Sequence, residues 1–213
     1  MEIYEAMSTQ RAIRRLRSDP IPEGVVDRIL TAATWAPSGG NVQPWRIILV
    51  EDAEKKAALE EMYKARWDAY AANYKDRLEA LAGNDRATAE RALAAGDYLA
   101  THMHDAPAIA IFCYNPGRMT ITDAMLDHES VVGGGSVYPA VQNFMLACRA
   151  EGVGCVLTTL LCMDEPAVKS LLRIPADWHT CAHVPIGYAV GGGYGRIRRR
   201  PIERMVFRDG WSA

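Results

Sequence analysis

A basic surplus, long apolar runs, paired cysteines and a dinucleotide fingerprint are all missing from this chain, and each absence removes a class of function. Lysine and arginine total 24 against 26 aspartate and glutamate, a formal net charge of −2 over 213 residues. Nothing pulls the chain as a whole toward nucleic acid, so any local arginine cluster points to a small anionic ligand rather than a polyanion. No apolar stretch is long enough to cross a membrane. No apolar run follows a basic stretch at the N-terminus, so a signal peptide is not expected either. The five cysteines, Cys113, Cys148, Cys155, Cys162 and Cys181, form no Cys-x-x-Cys pair and sit in apolar contexts. They read as reduced core residues of a cytoplasmic protein, not as a disulfide frame. No histidine pair shows the i, i+4 spacing around a helical glutamate, so no metal site is expected. The Gly-x-Ser-like fragments lack a nucleophile elbow. Gly133-Gly134-Gly135 and Gly191-Gly192-Gly193 lack the Gly-x-Gly-x-x-Gly spacing between a strand and a helix, which excludes a Rossmann-type dinucleotide site. There is no internal repeat and no low-complexity tract.

What is present starts with composition. Hydrophobic residues make up 49% of the chain, enough for a sizeable core in one domain spanning residues 1–213. The most informative run is Ala36-Pro37-Ser38-Gly39-Gly40-Asn41-Val42-Gln43-Pro44-Trp45. It closes an apolar helix and opens the β-branched strand Ile47-Ile48-Leu49-Val50. A loop this rich in Pro, Gly, Ser and Asn brings backbone N–H and C=O groups close to a ligand. Asn41 and Gln43 add amides and Trp45 a flat apolar face, a surface suited to a planar heteroaromatic ring with polar edges. The same run also reads as a plain helix-to-strand turn with Pro37 as the stop. Upstream, Gln10-Arg11-Ala12-Ile13-Arg14-Arg15-Leu16 sets Arg11, Arg14 and Arg15 close together, a compact anion site whose guanidinium forks match phosphate oxygens.

These blocks, followed by Asp19-Pro20-Ile21-Pro22, Glu151-Gly152-Val153-Gly154-Cys155, Pro185-Ile186-Gly187-Tyr188, Arg196-Ile197-Arg198-Arg199-Arg200-Pro201 and then Glu203, Asp209 and Trp211, resemble in order and spacing the FMN-dependent nitroreductase family. The resemblance spans nearly the whole chain, and the Pro-Ser-Gly-Gly-Asn loop is its most specific part. It implies an α+β fold: a three-layer sandwich with a mostly antiparallel central sheet flanked by helices. It further implies a homodimer with FMN at the interface and a C-terminal tail, about 196–213, that embraces the partner subunit. The activity implied is that of an NAD(P)H-dependent oxidoreductase. Hydride passes from NAD(P)H to flavin N5 and then to an electron-poor acceptor such as a nitroaromatic or quinone, by a ping-pong route through one shared pocket. Rival activities in the same fold are reductive dehalogenation, flavin fragmentation and reduction of activated alkenes; non-enzymatic flavin storage lies outside it.

Carried over residue by residue, the resemblance assigns Arg11 and Arg199 to the phosphate, with Arg198 and Arg200 in support. Arg14 reaches the ribityl chain or the O2 side of the ring. Pro37, Ser38, Gly39 and Asn41 contact the flavin of the other subunit. The backbone N–H groups at Thr159 and Leu160 meet N5 and O4. The chain departs from the family pattern at Ala12, where serine is usual, and at Gln10, where a basic residue is common, so one hydroxyl contact is lost from the cofactor-binding set. Gln142 and Asn143 read either as interface or ribityl contacts or as ordinary helix polar residues. No catalytic side chain is needed, because the flavin itself takes and gives the hydride.

The hydrophobic periodicity predicts helices near Ile3–Met7, from Glu23 to the Pro37 stop, and from Ala53 to about Tyr63. A helical hairpin insert follows at about 64–104, broken at Gly83-Asn84, with Tyr63, Trp67, Tyr70 and Tyr74 on one face. That stripe reads as packing or as a wall over the active site. Strands are expected at 46–50, 108–114, 155–161 and 181–190. Helices are expected at 137–150, entered through Pro139, and at 165–172, with Asp164 as cap and Pro166 just inside.

Overall fold

The computed structural model describes residues 1–211, with 75–77 given by their backbone alone; Ser212 and Ala213, the end of the expected tail, lie outside the described residues. Four strands form one sheet: β1 (Trp45–Val50), β2 (Ala108–Tyr114), β3 (Gly154–Cys155) and β4 (His179–Gly187), in the order β1-β2-β4-β3 with every neighbour antiparallel. β2 is central and apolar along its whole length because both of its faces are covered. On one face Ala108, Ala110 and Phe112 join Ala182, Val184 and Ile186 of β4 beneath α2 (Glu23–Thr34) and α5 (Tyr138–Ala150). Phe112 meets Phe144 of α5 edge-on, with ring centroids 5.4 Å apart, a preferred aromatic geometry. On the other face Ile109, Ile111 and Cys113 pack with Leu59, Leu99, Leu161 and Val168 under α3 (Ala53–Leu78), α4 (Gly83–His102) and α6 (Glu165–Leu172). The fold is therefore the expected α+β three-layer sandwich. A short α1 (Ile3–Thr9) precedes it.

Several details differ from the sequence reading, each for a local reason. The strand expected at 155–161 stops after Cys155. The register sets Cys155 opposite Ile186, so Val156 falls opposite Pro185, which has no N–H to offer and removes a rung. Pairing returns only at Thr158, which exchanges backbone bonds of 3.0 and 2.9 Å with His183. The chain then turns through a short 3-10 segment, Leu160–Asp164. β4 ends at Gly187 rather than 190 because the N-terminal segment takes over the pairing: Arg17 N–H donates to the Tyr188 carbonyl at 2.8 Å and Val190 N–H to that of Arg15 at 3.0 Å. A side chain at Gly187 would meet the Arg17 carbonyl oxygen at 3.1 Å and the Pro107 ring at 2.9 Å. Asp164 does not cap α6; its carboxylate is held by the Arg66 guanidinium of α3. Helix α3 runs unbroken from Ala53, so the expected insert has no boundary at 64. Gly83 opens α4 with φ +56° rather than ending α3. Among the described residues no helix is long and apolar enough to span a membrane.

Candidate active site

The segment Ile13–Arg17 is held as an added strip against the sheet edge. Ile13 N–H donates to the Cys155 carbonyl at 2.9 Å, and Ile13 and Leu16 bury their side chains with Ala106 in a small core of their own. Neighbouring side chains of such an extended strip point to opposite sides, so the arginines that crowd together in sequence are separated in space. Arg14 enters a cavity of about 220 Å³ lined by Tyr63, Trp67, Tyr70 and residues 156–160. Arg15 turns the other way and lies 4.3 Å over the Tyr98 ring. Arg11 stays exposed beside the tail, its Nη1 3.9 Å from where a Cβ on Gly195 would stand. The expected three-arginine anion site is thus reduced, with Arg15 withdrawn from it.

The cavity has a polar floor where residues 156–160 pass beneath it. Thr158 stays paired with His183, and the next residue, Thr159, directs its N–H away from β4. Among the described residues no acceptor meets the Thr159 N–H, and the Leu160 N–H makes only a 3.4 Å bond to the Thr158 hydroxyl. The aromatic wall is a ladder on α3: Tyr63 to Trp67 at 6.5 Å and Trp67 to Tyr70 at 5.5 Å between centroids. Burial raises the Tyr63 phenol above its ordinary range, against the opposing pull of the Thr158 hydroxyl and the Arg14 charge. Thr159 also borders a second cavity of about 590 Å³, whose polar groups come from Tyr114, Ser130, Tyr138 and Thr180.

The Ala36–Trp45 loop lines neither of these cavities. Its backbone is left-handed at Gly40 (φ 57°), Asn41 (φ 53°) and Gln43 (φ 46°), an uncommon conformation for the two non-glycine residues. Cross-bonds hold it: Gln43 N–H donates to the Ser38 hydroxyl at 3.0 Å, Gln43 Nε2 to Asn41 Oδ1 at 3.1 Å, and Gly39 N–H to the Ser136 hydroxyl at 3.1 Å. The two amides are turned on each other, and Trp45 is buried in the core beneath α2. The loop therefore presents Pro37, Ser38, Gly39 and Asn41 at the surface without the flat indole face expected from sequence. Asn143 is explained as well: its side chain donates to the Ala32 carbonyl near the end of α2 at 3.3 Å.

The tail leaves the sheet through Gly191, Gly192 and Gly193, all at positive φ, and is tied to α1 by a 3.0 Å bond from Ile197 N–H to the Ser8 carbonyl. That tie returns Arg198, Arg199 and Arg200 to the N-terminal side of the molecule that carries Arg11. Among the described residues none of Arg11, Arg14, Arg198, Arg199 or Arg200 meets a carboxylate, whereas Arg17, Arg28, Arg66 and Arg86 are all paired. Arg14 and the unpaired Thr159 N–H meet in one cavity as donors without acceptors, while Arg11, Arg198, Arg199 and Arg200 do not line it. Ala12, between Arg11 and Arg14, lies exposed. Burial pushes the Cys113 thiol up to about 11 and Cys181 to about 12, so neither is a ready nucleophile.

The sequence singles out Arg14, Thr159 and Leu160, and the fold brings these three into one cavity. Its pattern leaves Tyr63, Trp67 and Tyr70 undecided between packing and wall, and gives no sign of Gly96 and Asp97, which hold Trp67 from α4. The separation of 30 residues between Trp67 and Asp97 gives no local signal.

Residues 7–188 match the Nitroreductase family. The chain is 31% identical to the NADH dehydrogenase of Thermus thermophilus over 97% of its own length and 95% of that protein. It is 31% identical to the 5,6-dimethylbenzimidazole synthase of Rhodobacter capsulatus over 87% of this chain and 82% of the other. Among solved structures it superposes on oxidized iodotyrosine deiodinase bound to FMN and 3-iodo-L-tyrosine with a TM-score of 0.74. The identity there is 20%, over 99% of this chain and all of that one.

Proposed function

We propose, since this chain belongs to the nitroreductase family, that it is a homodimeric NAD(P)H-dependent FMN oxidoreductase. It reduces a small electron-poor acceptor, a nitroaromatic or a quinone, in the cytoplasm. The observation that carries this reading is the single cavity in which Arg14, the unpaired Thr159 N–H and the aromatic ladder meet. The donor set fits FMN. Arg11 and Arg199 hold the phosphate, with Arg198 and Arg200 beside them, and the backbone of Ala12 runs past it. Thr159 and Leu160 offer N–H groups to the polar edge of the ring. Pro37, Ser38, Gly39 and Asn41 complete the site of the partner subunit. Bound FMN supplies reversible acceptance of a hydride. Arg14 sets a cation where negative charge develops on the pyrimidine side, in place beforehand and so at no cost of reorganisation. One shared pocket over the ring admits nicotinamide and acceptor in turn, which is the basis for ping-pong kinetics.

A homodimer is favoured by surface that one copy leaves uncovered. A groove of about 510 Å³ between α1, α2 and α5 is lined by Ile3, Ala6, Trp35, Leu146, Ala147 and Ala150, and Trp35 is 75% exposed. Apolar patches of this kind mark interaction sites. The segment 196–211, which carries further outward apolar side chains, serves as the arm that embraces the partner.

Mass analysis of the cofactor released from purified protein is expected to show FMN, and anaerobic NADH or NADPH is expected to bleach the yellow colour. A yellow protein that neither nucleotide bleaches would move the chain to the storage reading. Release of 5,6-dimethylbenzimidazole from reduced FMN in air would move it to the flavin-fragmenting one. Replacing Arg11 or Arg199 with alanine removes a charge-assisted hydrogen bond worth about 1.5–3 kcal/mol. FMN affinity is then expected to fall about tenfold or more while riboflavin affinity stays level. Titration of both flavins against each variant checks this, and equal losses for the two would place the arginine outside the phosphate site.

A further inference from the structure

Near the start of β1, three arginines from separate parts of the chain converge on one tryptophan. Arg46 stands opposite Cys113 in the β1–β2 register and shares with Ile48 the face of the strand turned toward the α3 side of the sheet. A position that would otherwise carry an apolar side chain thus carries a guanidinium, and its Cζ lies 5.3 Å over the Trp178 ring. Arg118 reaches the same ring at 5.5 Å. Its turn is set by Asn115, whose Oδ1 accepts from Gly117 N–H at 2.9 Å and whose Nδ2 donates to Asp177 Oδ2 at 2.8 Å. Arg173 leaves the end of α6 at φ 56°, a left-handed position that usually falls to glycine. Arg46, Arg173 and Trp178 rim a cleft of about 300 Å³ whose floor is Ile48, Cys113 and Ile174. It shares no lining residue with the Arg14 cavity or with the larger one that Thr159 also borders.

Among the described residues none of these three arginines meets a carboxylate. The acids nearby are engaged elsewhere: Asp177 by the Asn115 amide, Glu165 by His179 at 2.9 Å and by the Thr180 N–H at 2.6 Å. Arg46 donates through Nη1, to the Trp45 and Gln43 carbonyls at 2.7 and 3.4 Å, which fixes the group and leaves its other N–H donors for a ligand. Like charges gathered at one ring repel, and a small dianion relieves that repulsion. The floor selects differently, for apolar surface. We propose that this cleft binds a small phosphomonoester with an apolar body. The phosphate is held by Arg46 and Arg173, whose guanidinium forks match its oxygens, with the Arg118 charge adding to the field across the indole. The apolar body lies on the floor. A volume at the lower end of the roughly 300–1,000 Å³ of drug-sized sites limits that body to about one ring. The loop carrying Arg173 and Trp178 is closed beforehand by Trp178 N–H to the Pro175 carbonyl at 3.1 Å and Lys169 Nζ to the Ala176 carbonyl at 2.9 Å, so binding orders little. The cleft takes this ligand whether or not flavin is bound elsewhere.

The test titrates 4-fluorophenyl phosphate with the full chain and follows the fluorine resonance by NMR. Saturable binding is expected. Inorganic phosphate and 4-fluorobenzyl alcohol, each carrying one half of the ligand, are expected to bind less tightly than the whole. Arg173→Gly and Arg46→Gln are each expected to weaken the probe by about fivefold or more. Glycine suits the left-handed position better than arginine does, so Arg173→Gly is expected to melt no lower than the native chain, and its lost binding is then not a folding effect. A probe that does not bind, or that binds no better than inorganic phosphate, overturns the proposal. So does a probe that binds both variants as it binds the native chain, which would seat it on other arginines, such as those assigned to the FMN phosphate.

Discussion

A chain ending at Arg200 is expected to lose its dimeric state and its FMN together. The arginines assigned to the phosphate remain in such a chain, and so does the Ile197–Ser8 bond that holds them near Arg11, so the charge for the cofactor is intact. What is removed is an apolar arm. Ile202, Met205, Val206 and Trp211 are 66%, 61%, 56% and 87% exposed, and Phe207 packs on Trp211 at 4.8 Å between centroids. An extended segment this apolar is stable in water only when something covers it. If the partner subunit is that cover, and if Pro37, Ser38 and Gly39 complete the partner's flavin site, then flavin and partner both bind only the assembled state and are lost together. Sedimentation and flavin absorbance on one truncated sample decide it. A truncated protein that stays dimeric with a full complement of flavin would show the arm to be peripheral.

Acid is expected to unfold the native protein earlier than a His183→Leu variant, and the gap should reach about 3 kcal/mol. The His183 ring is fully buried on the α3 side of the sheet, and among the described residues neither ring nitrogen meets a partner. Burial lowers its pKa from 6.5 to about 4. Below pH 6.5 the unfolded chain takes up a proton that the folded chain refuses until about pH 4, so stability falls with pH across that window. Above 6.5 this group contributes no slope, and below 4 none. Carboxylates held low by their partners also lose their contribution in acid: Asp164 by the Arg66 guanidinium, and Glu165, whose bonds from His179 and the Thr180 N–H outweigh the upward pull of burial. The difference between native and variant cancels those. Urea unfolding at several pH values between 4 and 7 checks it, and parallel curves would mean that His183 reaches water or a partner after all.

Much of the architecture was legible because the periodicities are clean. β2 reads as a doubly covered strand from its unbroken apolar run, and α2, α5 and α6 from apolar spacing with proline or glycine at their ends. What escaped depends on pairing across the fold. Pro185 looks harmless in a strand until the register sets it opposite Val156, and only then does it shorten β3. Arg14 and Arg15 look like one site until the extended backbone sends them to opposite sides. Asp164 looks like a cap until Arg66, far away in sequence, claims its carboxylate. Trp45 looks like a ligand platform until α2 covers it. In each case the residue was noticed and its partner was not, since no local pattern encodes that partner.

The glycine run that launches the tail carries a consequence in handedness. Gly191 and Gly192 have φ of 71° and 86°, and nothing lies within 4 Å of a side chain built on either. Space does not reserve these positions for glycine; chirality does. An L-residue there is strained, whereas its mirror image prefers that half of the backbone map. At Gly193 the Ile13 side chain already stands 2.9 Å from an added Cβ, so steric exclusion acts there as well. Joining a synthetic segment 191–213 to the expressed remainder allows D-alanine at 191 or 192. Such a chain is expected to be more stable than the glycine original by roughly 0.4–1 kcal/mol per site, through a less varied unfolded state. L-Alanine at the same sites is expected to be less stable. The turn from sheet to tail is thus a short stretch of protein whose natural side chains would be the enantiomers of those available to it.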